Sequence, residues 1–169
     1  MNLAEAKNKF IHSWGTLGSQ WGINRTMSQI HALLLVSAKP LSTEEIMQEL
    51  NISRGNANMN LRALMDWGLV EKEHKAGDRK EYFSAGKDIW ETARKITAER
   101  RKREIEPVLK VLEQLKKETI TGDDQEEIKA FMDTIDGIDD FTGKANDIAD
   151  KFIRSDSNWF YKTLMKLLR

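Results

Sequence analysis

The hydrophobic positions of this chain fall mostly at helical spacing, with one short stretch of alternation in the middle. From Leu3 to about Trp21, the residues Phe10, Trp14, Leu17 and Trp21 form a seam spaced four, three and four, which predicts an N-terminal helix. Arg25 to Ser37 is apolar enough to predict a buried helix, ended by the Lys39-Pro40 step. Ser42 or Thr43 then caps a helix over Thr43 to Leu50, where Glu45 or Glu44 closes a capping box and Ile46, Met47 and Leu50 face inward. After the Asn51-Ile52 turn, Ser53 is an N-cap. Ala57, Leu61, Leu64 and Met65 recur at offsets of four, seven and eight, and Gly68 supplies the stop. The period then falls to two. Leu69, Glu71 and Glu73 alternate with Val70, Lys72 and His74, Lys75-Ala76-Gly77-Asp78 makes a turn, and Arg79 to Ser84 resumes the extended pattern, so this segment predicts a hairpin.

Beyond the hairpin, Lys87 to about Glu118 reads as one long amphipathic helix, which Pro107 should kink or break after Glu106. Thr119 to Asp124 is a polar link. Gln125 to Phe141 and Ala145 to Leu168 read as two more helices, whose apolar positions include Phe131, Ile135, Ile138 and Phe141 in the first and Ile148, Phe152, Phe160 and Leu164 in the second. Such stripes need a partner surface. The expected fold is mainly α with a small β-hairpin: a winged helix-turn-helix over residues 23–86, flanked by a dimerisation region made of an N-terminal helix (1–22) and C-terminal helices (87–169).

The outward face of the Ser53 helix carries the candidate chemistry. Arg54, Asn58 and Arg62 follow at spacings of four, with Gly55, Asn56 and Met59 beside them, and no acid occurs from Ser53 to Ala63. Asparagine is a poor helix former, so a face built from asparagine and arginine is unusual for solvation alone. Arginine forks match guanine O6 and N7, asparagine amides match adenine N6 and N7, and a glycine lets a phosphate or base edge approach the backbone. The hairpin tip adds Lys75, Gly77, Arg79 and Lys80, with Asp78 orienting Arg79 or closing the turn. Two readings fit the tip: phosphate contact, or edge-strand charge that discourages aggregation. The candidate DNA-binding set is therefore Ser53, Arg54, Gly55, Asn56, Asn58, Met59, Arg62, Lys75, Gly77, Arg79 and Lys80.

Composition refines this picture. Lysine plus arginine and aspartate plus glutamate both number 27, so the net charge is zero, but the signs are segregated. Asn51 to Ile105 holds 13 basic against 9 acidic residues, and Thr119 to Asp150 holds 2 against 10. Salt screens charges over about 8 Å, so the acidic part need not cancel the basic one. The basic run at Arg100 to Arg103 reads as an ion-paired helix face, because Glu99, Glu104 and Glu106 lie within helical reach. No cysteine occurs, which removes disulfides, thiol chemistry and cysteine-based zinc sites. No segment has the run of roughly 18 apolar residues of a membrane span, and MNLAEAKNKF lacks a signal peptide's apolar run, so the expected compartment is the cytoplasm.

Together these residues resemble the MarR-type winged-helix transcription regulators, and within them the GbsR-type branch. The resemblance lies in Ser53-Arg-Gly-Asn56, Asn58, Leu61-Arg62-x-Leu64, Trp67-Gly-Leu-Val70, Gly77-Asp-Arg-Lys80, Tyr82-Phe83, Asp88-x-Trp90 and Glu99-Arg-x-x-Arg103-Glu104-x-x-Pro107, and covers about Trp21 to Leu115. It implies a homodimeric DNA-binding repressor or activator whose affinity responds to a small-molecule effector, with Ser53 to Arg62 as recognition helix and Gly77 to Lys80 as wing; the expected role is that of a sequence-specific repressor. Some relatives resemble sensors of choline.

A cationic effector would need a box of aromatic faces. Trp14, Trp21 and Trp90 are candidates for its walls, although seam spacing equally fits packing, and Gly15, Gly18 and Gly22 hint at close approach there. An enzyme is not expected. His12, His31 and His74 stand apart, no catalytic serine or carboxylate motif surrounds them, and no phosphate-cradling glycine loop is present. No metal or cofactor is expected either, since Asp133, Asp136, Asp139 and Asp140 follow helical spacing rather than that of a calcium loop. The competing reading is a winged helix used only for protein contact, an adaptor without specific DNA readout.

Overall fold

The structure is a computed structural model and describes residues 1–155 together with Lys166. It divides into two units, Met1–Thr92 and Ala93–Arg169.

In the first unit, helix α1 (Leu3–Gln20) packs along α2 (Arg25–Val36). Asn2 and Glu5 form the capping box that starts α1, and Asn24 caps α2. Two glycines explain how closely these helices approach. A Cβ on Gly18 would collide with Ser28, whose Cβ lies 2.7 Å away and whose hydroxyl is nearer still, and one on Gly15 would meet Cγ of Gln29 at 2.6 Å. Gly22 has a different role. At φ 74° it is the left-handed residue after α1, where Ile23 N–H donates to the Gly18 carbonyl at 2.8 Å, so it ends a helix and lines no contact.

A two-residue strand β1 (Leu41–Ser42) leads into α3 (Thr43–Leu50), then α4 (Arg54–Asp66), β2 (Val70–His74) and β3 (Glu81–Ala85). Of the caps proposed for α3, the structure uses Ser42 and Glu45: Glu45 N–H donates to the Ser42 hydroxyl and Ser42 N–H to the Glu45 carboxylate. Asn51, at φ 51°, turns the chain between α3 and α4. After α4, Gly68 at φ 66° closes a Schellman turn in which Leu69 N–H reaches the Leu64 carbonyl. The core beneath is Ile30, Leu34, Ile46, Leu61 and Leu64.

The sheet has three strands in the order β1-β3-β2, all antiparallel, with Leu41 opposite Phe83 and Lys72 opposite Phe83 on its other side. The two-stranded ribbon expected from sequence is thus joined by β1. That strand is too short to announce itself by periodicity and is defined by pairing with β3. Lys87 closes the unit from an unexpected direction: its ammonium donates to the carbonyls of Leu34, Leu35 and Ser37 at 2.7–2.9 Å and so caps the C-terminus of α2.

Helix α5 (Ile89–Arg100), started by Asp88, runs across the division at Thr92. The single helix expected from Lys87 to Glu118 is interrupted by a π-helical turn, Arg101–Ile105, before α6 (Glu106–Lys117). Pro107 accounts for the place. It lies in the first turn of α6, where its missing N–H costs little, and the wider turn before it relieves the clash its ring would make with the carbonyl four residues back. The basic run is ion-paired, Arg100 with Glu104 at 2.9 Å, Arg101 with Glu106 at 3.7 Å and Arg103 with Glu99 at 3.7 Å.

The last element corrects the sequence reading. Instead of two helices divided between Phe141 and Ala145, there is one 30-residue helix, α7 (Gln125–Arg154), capped by Asp124. A glycine in a helix costs roughly 1 kcal/mol, too little to end one without a proline or a competing cap, and the Lys144–Asp140 pair at 2.6 Å spans Gly143. Trp159, Phe160, Leu164, Leu167 and Leu168 lie outside the described residues. α6 packs on α7 around Leu112 and Ile135, and Lys116 reaches Asp136 and Asp139, so these aspartates serve as ion-pair partners. Val108 and Val111 of α6 and Phe131, Ile138, Phe141 and Ile148 of α7 remain exposed. Among the described residues, no helix is long and apolar enough to cross a membrane.

Candidate nucleic-acid interface

Helix α4 sorts its side chains as the spacing predicts. Ala57, Leu61 and Leu64 are buried, while Arg54, Gly55, Asn58, Met59 and Arg62 are exposed and Asn56 lies half-buried at the margin. Ser53 is the N-cap, its hydroxyl accepting from Asn56 N–H at 3.3 Å. Met59 is 60% exposed, a large apolar side chain standing in water within a polar face. A Cβ added to Gly55 would meet nothing within 4 Å among the described residues, so none of them requires a glycine at that position.

Arg54 is less free than its stripe suggested. Its guanidinium donates to Glu44 of α3 at 2.7 Å. The Glu44 carboxyl is held below the usual range, first by its own main-chain N–H, then by Arg54, with Lys80 adding a smaller share. Glu45 is lowered in the same direction, chiefly by the Ser42 hydroxyl and main-chain N–H and further by Lys75 and Lys80. The basic tip of the hairpin therefore acts electrostatically on the N-terminus of α3.

Within the hairpin, Asp78 closes the turn. Its carboxylate accepts from Lys80 N–H at 2.9 Å and from the Tyr82 hydroxyl at 2.7 Å, which lowers the Asp78 carboxyl and raises the Tyr82 phenol. Gly77, at φ 83°, supplies the left-handed residue of the turn. The Lys75 ammonium stands 3.6 Å from the Tyr82 ring centroid, a cation–π contact that fixes one basic side chain of the tip. Arg79 and Lys80 are exposed. Cross-strand pairs, Lys72 with Glu81 at 3.0 Å and Ser84 with Glu73 at 2.7 Å, link the two strands of the ribbon.

The arrangement is a short helix crossing a second helix that carries an exposed Asn/Arg face, followed by a basic antiparallel ribbon. Residues 21–81 match the model of the MarR family. The MarR match begins at Trp21, which follows α1, and ends at Glu81, the first residue of β3, so it takes in α2 through β2 and the turn of the wing. The fold of the longer chain has a counterpart too. A solved structure described as the crystal structure of a transcriptional regulator superposes with a TM-score of 0.60 at 18% identity, covering 88% of this chain and 95% of that one. No curated protein matches the chain significantly.

The tryptophans named as effector walls have different surroundings. Trp14 stacks at a tilt 5.5 Å from Phe10 and lies 6.5 Å from His31. Trp21 is 52% exposed at the end of α1, and Trp90, in the first turn of α5, donates its main-chain N–H to the Asp88 carboxylate. A separate cavity of about 600 Å³ is lined by α1, the end of α2, Leu41 and Glu49. Lys7 and Lys39 bring positive charge to it and Glu49 negative charge, and the described residues of its lining include no aromatic ring.

Two residues that sequence reasoning missed matter at this interface. Glu44 reads in the sequence as a capping residue of α3; it stands ten residues before Arg54, and no local spacing pairs the two. Asn60 interrupts the buried positions of α4 and is 3% exposed. A polar residue at core spacing was the available signal.

Proposed function

We propose that this protein is a homodimeric, sequence-specific DNA-binding transcriptional regulator, a repressor, in which α4 enters the major groove and the ribbon between β2 and β3 contacts the flanking backbone. The observation that carries this reading is the α4 face itself: Arg54, Asn58 and Arg62 stand outward together, with no acid from Ser53 to Ala63. The MarR match over residues 21–81 and the fold shared with a transcriptional regulator support it. Dimerisation is supported by the exposed apolar residues of α6 and α7, with Phe131 and Ile138, and likewise Phe141 and Ile148, seven residues apart. A two-fold pair would present two recognition helices about 34 Å apart, the spacing of a palindromic operator.

Small-molecule control is part of the proposal. The cavity beside α1 falls in the size range of ligand pockets, roughly 300 to 1,000 Å³, and a ligand there would bear on α1 and α3 at once. The aromatic box of Trp14, Trp21 and Trp90 is the alternative place for a cationic effector. Tryptophan fluorescence during titration with small cations and small carboxylates separates the two.

The test is selection of bound fragments from a random duplex library near physiological salt, with sedimentation of the free protein. A dimer that enriches one partly palindromic sequence supports the reading. A monomer, or equal affinity for every duplex, would support a protein-docking adaptor instead.

A further inference from the structure

Asn60 lies among the core residues of α4, with Ala57, Leu61 and Leu64 around it on the same helical face. A buried amide has to find hydrogen-bond partners, and Asn60 finds two on one residue. Its Nδ2 donates to the main-chain carbonyl of Asn56 at 2.8 Å and to Asn56 Oδ1 at 2.7 Å.

These two contacts fix the chemistry of the pair. A main-chain carbonyl can only accept, so the end of Asn60 facing it must be the NH2 group. The second N–H of that group then meets the Asn56 side chain, which has to answer with its oxygen. Asn56 is thus held with oxygen inward and NH2 outward, at the half-buried margin of a face otherwise exposed.

We propose that Asn60 is a specificity-determining positioning residue, which makes Asn56 a reader that presents its donor end outward. This rests on the reading of α4 as a recognition helix. An asparagine free to turn offers one donor and one acceptor and matches adenine N6 and N7. With its oxygen turned inward and one lone pair taken by Asn60, Asn56 presents its NH2 outermost, which suits the acceptors O6 and N7 of guanine better than the amino group of adenine. Asn58, on the other flank, keeps both possibilities.

The experiment compares sequences selected from a random duplex library by the full-length wild-type protein and by Asn60→Ala, with Asn60→Ser as a second variant that keeps the site polar. Wild type should prefer guanine over adenine at one base pair of each half-site. Both variants should lower that discrimination by about tenfold while leaving affinity for random duplex within about twofold. An unchanged profile in the variants overturns the proposal and leaves the DNA reading standing. A wild-type protein that selects no sequence sinks the DNA reading and this proposal with it. Should neither variant fold, hydrogen exchange of the wild-type side-chain amides decides: slow Asn60 and fast Asn56 NH2 exchange supports the orientation, and a protected Asn56 NH2 overturns it.

Discussion

Arg54 donates to Glu44 across 2.7 Å, tying the first residue of the candidate recognition helix to the helix before it. Both groups are exposed, so solvent screens the pair and it adds little to stability. Its consequence lies in binding: the carboxylate faces the surface that DNA phosphates would approach, and it competes with them for the guanidinium. Glu44→Gln should therefore tighten binding to all duplexes, by about three- to tenfold at low salt, with the gain shrinking as salt rises. Fluorescence anisotropy over a salt series measures this, and weaker binding by the variant would make Glu44 a brace for Arg54 instead of a competitor.

Lys87 gives the first unit a cap that no neighbour in sequence could supply. Three carbonyls at the end of α2 converge on its ammonium. Lys87→Met keeps the aliphatic stem and removes the donors, and it should destabilise the fold by about 1 kcal/mol. The urea midpoint should fall with the slope unchanged. A midpoint equal to wild type would show that water replaces the ammonium without loss.

His31 makes stability depend on pH. It is 3% exposed, its Nε2 meets no hydrogen-bond partner among the described residues, and its pKa is pushed down to about 4 by burial and secondarily by the charge of Lys87. The unfolded chain binds a proton near pH 6.5, whereas the folded one resists it until about 4. Stability is therefore intact above pH 6.5 and declines as the pH falls from there to about 4, by on the order of 3 kcal/mol in all. Chemical denaturation from pH 7.5 to 4.5 should show this slope in wild type and a flatter one in His31→Leu. Parallel slopes would assign the effect to other groups.

Two glycines of α1 should respond oppositely to the same substitution. An added Cβ at Gly18 meets the side chain of buried Ser28, which has no room to retreat, so Gly18→Ala should cost about 1 to 3 kcal/mol. At Gly15 the obstacle is Cγ of Gln29, a flexible side chain only partly buried. There the roughly 1 kcal/mol gained in helix propensity should leave Gly15→Ala neutral or stabilising. Thermal melts of the two variants decide, and equal losses would show that α2 cannot yield at either place.

What could be read from the sequence was what neighbours in the chain decide. Ser42, Ser53 and Gly68 act within one helical turn, and the helices they bound fall where their spacing placed them. The exposed Asn/Arg face followed from the same period. What escaped depends on distant partners. Leu41–Ser42 becomes a strand only because Phe83 and Tyr82 lie opposite. Arg54 meets Glu44 ten residues earlier, and Lys87 reaches back some fifty residues to cap α2. The misplaced break in α7 has another origin. Gly143 lies between the two expected helices, but a glycine without a cap or proline costs too little to end a helix, and α7 runs through it.

The central claim, that α4 reads sequence while the ribbon grips the backbone, is tested most directly by measuring Arg62→Ala, Asn58→Ala and Arg79→Ala against both the selected operator and a random duplex. The two α4 variants should lose about 1 to 3 kcal/mol on the operator and little on random DNA, whereas Arg79→Ala should weaken both alike. Equal losses on the two duplexes for Asn58→Ala and Arg62→Ala would contradict the account.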